Sequence, residues 1–339
     1  MKFKWFNKRS CKKSEFKENS QDQLKLENQL RKDKAWLFKE PVEIIIDKNN
    51  PPILVYQMGK VGSTSVAFTL RESDLPNPVY HVHQLSNKGI DWNIEKNKQR
   101  LEDTRKNSDL DDYTRVYTHF YLKYLIRQLD NNKRLRKKID ENLNVVPWKI
   151  ITLVRDPIMR EISDFFFSFH KHPELVDKKE HLLNEASLKV LKNQLTQRFK
   201  NPRNWILEWF DKEMKEVFGV DVYQFPFDHE KGYTFIHSNN ISILIFKLKK
   251  LDQSFSDAIF EFLNKKDLKL IKRNVAEQKF YYETHQYVLR NITLDNDFCS
   301  RIYNSRYAKH FYTDSELKNL MLKWSGCQPN VNEEHGAGR

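Results

Sequence analysis

Short, mostly apolar runs mark the strands that this sequence predicts. "ILVYQ" follows two prolines, and "WKIITLV" follows Pro147. Apolar runs of this kind are typical of strands buried on both faces of a parallel sheet. "VYHVH" and "ISILIF" are predicted as further strands.

Helical patterns separate these runs. The sequence predicts helices at about 63–72 and across most of 91–144 and 174–220, and Asp156 with Pro157 supplies the cap and first turn of another. "FSDAIFEFLN" adds a helix after the last strand. Strands that alternate with helices favour an α/β fold, here a parallel sheet flanked by helices, with a large helical portion.

The predicted domain order has three parts. Residues 1–40 form a basic, partly helical arm, residues 41–328 form the α/β domain, and residues 329–339 form a disordered tail. Hydrophobic residues make up 39% of the 339 positions, which is enough for one large core. No apolar run reaches the roughly 20 residues that cross a bilayer.

Cysteine content and the first residues predict a cytoplasmic protein. Cys11, Cys299 and Cys327 lie far apart without CxxC spacing, so neither a disulfide framework nor a zinc site is expected. The start "MKFKWFNKRSCKK" is basic but lacks the apolar segment of a secretory signal.

Positive charge is concentrated in the arm. The net charge is +13, and residues 1–40 hold ten Lys and two Arg against six acidic residues. A solvated tail is one interpretation. Peripheral contact with the anionic inner face of a membrane, with Phe3, Trp5 and Phe6 as shallow anchors, is another. No motif that reads nucleic acid accompanies the charge, so nucleic acid is not an expected partner.

The segment "MGKVGSTS" is predicted to bind an anion. Gly59 and Gly62 permit tight turns close to a ligand, and Lys60 adds a full positive charge. A helix that begins directly after the loop points free N–H groups at the same place. Hydroxyl groups that can donate to phosphate oxygens belong to Ser63, Thr64 and Ser65. Because Lys60 precedes Gly62, the order is not that of a Walker A loop, and the glycine spacing is not G-x-G-x-x-G.

The order K-x-G-[ST]-[ST] after a buried strand resembles the phosphosulfate loop of sulfotransferases that use 3′-phosphoadenosine 5′-phosphosulfate (PAPS). This superfamily also has a strand that ends in Arg and a helix with Ser eight positions later, and "LVRDPIMREIS" places Arg155 and Ser163 at that spacing. The resemblance implies the sulfotransferase fold, with a P-loop-like parallel sheet flanked by helices. It also implies that Lys60 contacts the bridging oxygen of the leaving group and that the loop backbone holds the 5′-phosphate. It further implies that Arg155 and Ser163 hold the 3′-phosphate, for which an arginine fork is well suited.

The chain also resembles a bacterial branch of this superfamily that is assigned to capsular polysaccharide synthesis. The similar segments lie between about residues 53 and 324 and are "MGKVGSTS", "HVHQLS", "KIITLVRDPI", "DFFFSF", "WFDKEMKEVFGVDVY" and "IYNSRYAKHFYTDSE". Glu161 departs from the branch, which often has a small or amide residue there. This resemblance implies a saccharide hydroxyl as the acceptor.

Sulfuryl transfer requires a base that takes the proton of the acceptor hydroxyl, usually a histidine. His83 is the first choice, because it ends a strand between the two phosphate elements as the catalytic histidine of the superfamily often does. His81 lies on the same face of that strand and is a second choice. His119 competes, although a histidine on an amphipathic helix more often has a structural role.

Several later residues are weaker candidates. Trp205, Trp209, Phe225, Tyr281 and Tyr282 are either sugar or adenine contacts or core residues. The candidate anion contacts are Lys279, Arg306 and Lys309, and His310 is either a contact for nucleotide or acceptor or a helix cap.

The expected function is therefore a sulfotransferase that moves a sulfuryl group from PAPS to a bacterial polysaccharide or glycan precursor without a metal ion. One alternative is an ATP-dependent phosphotransferase with a distorted P-loop, which needs magnesium and a carboxylate at a strand end. Another is a non-catalytic module of polysaccharide synthesis that the arm attaches to the membrane.

Overall fold

The structure is a computed structural model. It describes residues 43–107, 112–167, 188–189, 192–194, 196–197, 205–273, 277, 279 and 281–326. The predicted arm and tail, together with Cys11 and Cys327, lie outside the described residues.

Five strands form one sheet in the order β2-β1-β3-β5-β4. The strands are β1 (Ile53–Tyr56), β2 (Val79–Val82), β3 (Trp148–Val154), β4 (Tyr233–Ser238) and β5 (Ile241–Lys247). Strands β2, β1, β3 and β5 run parallel to one another, and β4, at the edge of the described sheet, is antiparallel to β5. The predicted α/β class with a largely parallel sheet is thereby confirmed.

Strand β4 was not predicted from the sequence. It forms a hairpin with β5 through the pair Asn239–Asn240, and Asn239 has a φ of 52°. Asparagine tolerates this left-handed conformation better than other residues with a side chain, and two-residue hairpin turns require it. The Asn-Asn pair between two apolar runs was therefore the available signal.

Helices alternate with the strands along the sequence, as the pattern indicated. They are α1 (Ser63–Arg71), α2 (Asn87–Lys106), α3 (Asp112–Asn142), α4 (Pro157–Phe167), α5 (Leu251–Leu263), α6 (Tyr282–Asn291), α7 (Asn296–Tyr303), α8 (Arg306–Phe311) and α9 (Asp314–Ser325), with a π-helix at Phe210–Lys215. The helix α1 begins at Ser63 and α4 at Pro157, as predicted. Asp156 caps α4, because its carboxylate accepts a bond of 3.2 Å from the backbone N–H of Ile158.

The chain divides into two compact units. One comprises Met1–Glu43 with Ile90–Asn131, and in its described part Ile90, Ile94 and Leu129 share a small apolar cluster. His119 belongs to this unit. The other unit, Ile44–Gly89 with Asn132–Arg339, contains the sheet. In the part of the chain that the structure describes, no helix is both long and apolar enough to cross a membrane.

Two apolar clusters support the sheet unit. The larger surrounds the strands, and all residues of β1 are buried. The smaller joins α4 to the C-terminal helices through Phe165, Phe166 and Trp324. Cys299 forms no disulfide with a described residue and is buried in this second cluster. Arg155 therefore lies between β3, which belongs to the larger cluster, and α4, which belongs to the smaller one.

Candidate functional site

The candidate site lies at the carboxyl ends of β2, β1 and β3, which are adjacent and parallel. From β1 the chain passes to β2 on one side and then to β3 on the other, so β1 stands at a switch in strand order. Open parallel sheets bind ligands at such a point. Lys60, His83 and Arg155 each follow one of these three strand ends.

The glycine loop, residues 57–62, has a strained backbone. Lys60 has a φ of 72° and Gly62 a φ of 87°. A residue with a side chain in this conformation costs about 1–3 kcal/mol and persists only where its surroundings hold it. Arg155 supplies such a restraint, because its Nη1 donates a 2.8 Å hydrogen bond to the carbonyl oxygen of Lys60. Arg160 donates from Nε to the carbonyl oxygen of Gly59 at 2.9 Å.

Gly62 stands at the start of α1 and leaves no room for a side chain. A Cβ at this position would lie 2.5 Å from Cδ1 of Leu248. No side chain of a described residue caps α1, and both Gly62 and Thr64 are exposed. The first turn of the helix is therefore available to an anion from solvent.

The three hydroxyl groups predicted to face a phosphate have different surroundings. Ser63 Oγ lies 2.9 Å from Nε2 of His81 and is buried. Ser65 Oγ donates to the carbonyl oxygen of Arg273 at 3.2 Å and accepts from its N–H at 3.0 Å. Thr64 is exposed at the helix start. Thr64 is thus the hydroxyl placed to meet a ligand, while Ser63 and Ser65 hold neighbouring segments.

The Lys60 side chain is partly enclosed. Its Nζ lies 3.4 Å from the ring centroid of Phe167, the last residue of α4. Burial lowers the pKa of Lys60 to about 7, the charge of Asp164 opposes this, and the cations Arg160, Lys279 and Arg155 add to it. Near neutral pH, Lys60 is therefore divided between its neutral and charged forms, and a bound anion favours the charged one.

The ring of His83 is oriented by a backbone group. Its Nδ1 lies 2.9 Å from the carbonyl oxygen of Gln57. A carbonyl oxygen only accepts, so neutral His83 carries its hydrogen on Nδ1 and keeps the lone pair on Nε2. Part of the His83 side chain is open to solvent. Protein atoms surround the rest of the ring, and the resulting desolvation lowers its pKa. The hydrogen bond to Gln57 opposes the shift, and Arg160 and Lys60 add to it.

His81 has a different environment from His83. Its Nε2 lies 2.9 Å from Ser63 Oγ and 3.2 Å from Nε2 of Gln57. Burial, followed by the charges of His83 and Arg71, lowers the pKa of His81 to about 3. His81 is therefore neutral at physiological pH, and its Nε2 is already engaged.

Gln57 was not predicted as a site residue. It is completely buried, it lies beside both histidines, and its Oε1 has no hydrogen-bond partner among the described residues. No sequence motif marks it, because a single glutamine at a strand end carries no distinctive signal.

The second anion element, residues 155–163, has an extensive hydrogen-bond network. The hydroxyl of Tyr307 accepts from the N–H of Arg155 at 3.1 Å and donates to its carbonyl oxygen at 2.9 Å. The carboxylate of Asp156 accepts from Tyr303 Oη at 2.8 Å and from Trp324 Nε1 at 3.1 Å. Burial raises the pKa of Asp156, and these hydrogen bonds oppose that shift.

Ser163 lies on the side of α4 that carries Arg160 and Phe167, which are three residues before it and four after it. Arg160 and Phe167 both contact the glycine loop. Ser163 is half-buried and lies on the side of α4 that faces this loop. The acid that departs from the family pattern, Glu161, is buried in an ion pair with Arg160.

The weaker candidates have various positions. Trp209 is fully buried, and its Nε1 donates to the carbonyl oxygen of His83 at 3.1 Å. Arg306 forms ion pairs with Asp211 and Asp221. The remaining described residues in this group are Trp205 and Phe225, packed against the core, Tyr281, stacked on Phe166, half-buried Lys279 and Tyr282, exposed Lys309, and His310, whose ring contacts Tyr223 and Phe311.

His285 of α6 was also not predicted. It is buried against Phe166, and its Nδ1 has no hydrogen-bond partner among the described residues. Burial and the charge of Arg155 lower its pKa to about 4. Its neighbourhood with Arg155 arises only from the packing of α6 on α4.

Metal chemistry was not expected from the sequence. Within the described ranges, no three His, Cys, Asp or Glu side chains are grouped so that they could hold a metal ion. The expectation of a metal-free reaction remains a prediction.

Comparison with protein families gives one finding. Residues 185–313 match the model of the family described as "Putative capsular polysaccharide synthesis protein". The match covers less than half of the chain and excludes the glycine loop, His83 and the element 155–163. Neither the curated proteins nor the solved structures include a match to this chain. Over residues 185–313, the chain is similar to proteins of capsular polysaccharide synthesis.

Proposed function

We propose that this protein is a PAPS-dependent sulfotransferase that modifies a hydroxyl group of a bacterial polysaccharide or glycan precursor. The main support is the contact between the two anion elements, since Arg155 donates directly to the carbonyl oxygen of Lys60. Two elements this close are suited to the two ends of one small nucleotide, an arrangement that separate surface sites would not offer.

In the proposed reaction, Nε2 of His83 takes the proton of the acceptor hydroxyl while that oxygen attacks sulfur. The bond between sulfur and the 5′-phosphate oxygen breaks, and adenosine 3′,5′-bisphosphate leaves. Lys60, in its charged form, stabilises the negative charge that develops on this phosphate. The lone pair on Nε2 supports His83 as the base rather than His81, because the Nε2 of His81 already contacts Ser63.

The saccharide acceptor rests on the family similarity of residues 185–313 and on the resemblance of the motifs. A cytoplasmic location, and contact of the arm with the membrane, belong to the same proposal. The ATP-dependent alternative requires a carboxylate free to hold magnesium at a strand end. Asp156 occupies such a position, but its oxygens already accept bonds from Tyr303, Trp324 and Ile158.

Calorimetry with adenosine 3′,5′-bisphosphate in EDTA tests the nucleotide site. The wild-type protein is expected to bind adenosine 3′,5′-bisphosphate without a metal ion. The variants Lys60→Ala and Arg155→Ala should bind it at least tenfold more weakly. Arg301→Ala removes one positive charge from an exposed position of α7 and should bind normally. Magnesium-dependent binding of ATP, without binding of the bisphosphate, would overturn the proposal.

Transfer of labelled sulfate from PAPS to a panel of bacterial saccharides tests the reaction. His83→Ala is expected to lower the rate by about 10²–10⁴-fold, the range for a general base. Loss of activity in His119→Ala, with full activity in His83→Ala, would show that the base is assigned wrongly.

A further inference from the structure

The short segment that follows β2, residues 83–86, is held by one turn of π-helix. Trp209 immediately precedes the π-helix Phe210–Lys215, and Glu213 lies within it. Residues four apart lie on the same side of a helix. Isolated π-helical turns are rare, and they occur frequently at functional sites.

The contacts between these two segments are numerous. Trp209 Nε1 donates to the carbonyl oxygen of His83 at 3.1 Å. The carboxylate of Glu213 accepts from the N–H of Leu85 at 2.7 Å and from the N–H of Ser86 at 2.9 Å. It also accepts from Oγ of Ser86 at 2.7 Å. Trp209 and Glu213 therefore hold the backbone of three residues of the segment 83–86, namely His83, Leu85 and Ser86.

Glu213 is completely buried, and its hydrogen-bond partners on the segment 83–86 all donate to it. The hydroxyl of Tyr56, the last residue of β1, is a further donor to it. A buried carboxylate is unfavourable unless several donors compensate it, and here two strand ends supply them. Gly89 allows this close approach, since a Cβ at position 89 would lie 2.9 Å from Oε1 of Glu213.

We propose that Trp209 and Glu213 are positioning residues that set the location and direction of the His83 ring. The proposal rests on the proposed function in one respect, namely the role of His83 as the base. The carbonyl oxygen of Gln57 restrains the His83 ring at Nδ1, and Trp209, directly before the π-helix, restrains the His83 carbonyl group, so Nε2 has one direction. The π-helix also lies within residues 185–313, so the family-matched segment would contribute to catalysis without supplying the base.

The test compares Glu213→Gln with Glu316→Gln. The glutamine at 213 keeps the shape but is neutral, so the hydrogen bonds from the N–H groups of Leu85 and Ser86 lose the negative charge that strengthens them. Glu316 is a suitable control, because it also accepts several bonds, from Lys247 and Thr313, but none from the segment 83–86 among the described contacts. Both variants should fold, with thermal unfolding checking this.

The first readout is the ¹⁵N NMR signal of the His83 ring, assigned with His83→Ala. In wild type and in Glu316→Gln, neutral His83 should carry its hydrogen on Nδ1. In Glu213→Gln the signal should shift or broaden, because the ring samples other positions. An unchanged His83 signal in a folded Glu213→Gln protein would overturn the positioning role, whatever the activity of the enzyme.

The second readout is sulfuryl transfer. Misplacement of a catalytic group by about 1 Å costs about 10²-fold, so kcat of Glu213→Gln should fall by about that factor and its pH profile should change. Affinity for adenosine 3′,5′-bisphosphate should stay within about twofold, and Trp209→Phe should show a smaller loss of kcat. If wild type transfers no sulfuryl group while the NMR signal shifts as expected, the proposed function fails and the positioning role stands. Equal losses of kcat in Glu213→Gln and Glu316→Gln would contradict the positioning role.

Discussion

The glycine loop and the element 155–163 both face the same strand ends, but they are stabilised in different ways. The loop has two residues with positive φ, and its carbonyl oxygens at 59 and 60 accept bonds from Arg160 and Arg155. The element 155–163 has ordinary helical structure and is anchored by Tyr303, Tyr307 and Trp324.

The difference indicates that the two regions have different functions. The strained loop leaves its helix start open to solvent, and the other element supplies the rigidity that the loop lacks. Strain at a functional site persists when the surrounding structure determines the conformation. Loss of a buried side chain from the element 155–163 should therefore affect the stability of the whole unit, whereas loss of the exposed Thr64 side chain at the start of α1 should affect mainly binding.

The largest effect on stability is expected for Asp156→Ala. This change leaves the buried Tyr303 hydroxyl and Trp324 N–H without their acceptor, at about 1–3 kcal/mol for each. Asp295→Ala is the matched control, because Asp295 caps α7 by accepting a hydrogen bond from the N–H of Phe298. Loss of such a cap lowers the free energy of unfolding by only about 1 kcal/mol. Denaturant unfolding measures both variants. Equal losses would show that the network around Asp156 adds nothing to an ordinary helix cap.

Gly62→Ala is expected to have the next largest effect. A left-handed alanine costs about 1–2 kcal/mol, and contact with Leu248 adds about 1–3 kcal/mol. Gly219 has a φ of 70°, and a Cβ at that position would meet no atom of a described residue within 4 Å, so Gly219→Ala measures the cost of the backbone conformation alone. Denaturant unfolding should show the larger loss in Gly62→Ala, and adding Leu248→Ala should remove the excess. If both glycine variants lose the same stability, Leu248 is not in close contact with the loop.

The lowered pKa of Lys60 predicts proton uptake on binding. At pH 8 the group is mostly neutral, with its pKa at about 7, and an anionic ligand favours the charged form. Calorimetry in buffers of different ionisation enthalpy should show uptake of about 0.5–0.9 proton per adenosine 3′,5′-bisphosphate at pH 8 and little at pH 6.

The same shift affects stability without ligand. The pKa of Lys60 is lower in the folded state than its unfolded value of 10.5. The contribution of Lys60 to the free energy of unfolding is therefore complete above pH 10.5 and is lost as the pH falls towards 7. Lys60→Met should abolish both the proton uptake and this part of the pH dependence. Undiminished uptake in Lys60→Met would assign the proton to another group.

The smallest effects should separate two neighbouring hydroxyl groups. Ser65→Ala removes the contact with the backbone of Arg273 and should cost about 1 kcal/mol of stability. Thr64→Val should leave stability nearly unchanged and weaken adenosine 3′,5′-bisphosphate binding about 3–10-fold, as for one hydrogen bond. Unfolding curves and calorimetry on both variants measure this. The reverse pattern would place Ser65, rather than Thr64, at the ligand.

Local features of the sequence predicted much of this fold. The buried strands β1 and β3 and the starts of α1 and α4 were predictable, because apolar runs, caps and prolines act over a few residues. The edge strand β4 was not predicted, although its Asn-Asn turn was visible. Arg160 and Gln57 were missed because their partners, the loop carbonyl oxygens and the two histidines, come from other parts of the sheet unit.

The sequence alone therefore determined that this protein has an α/β sheet with a glycine loop and an arginine at two strand ends. Only the tertiary structure decided that Arg155 and Arg160 donate to the loop and that Glu213 holds the segment after His83. The physical reason is distance along the chain. Strand and helix starts depend on neighbouring residues, whereas the hydrogen bond from Leu85 to Glu213 joins positions 128 residues apart and exists only after the sheet has assembled.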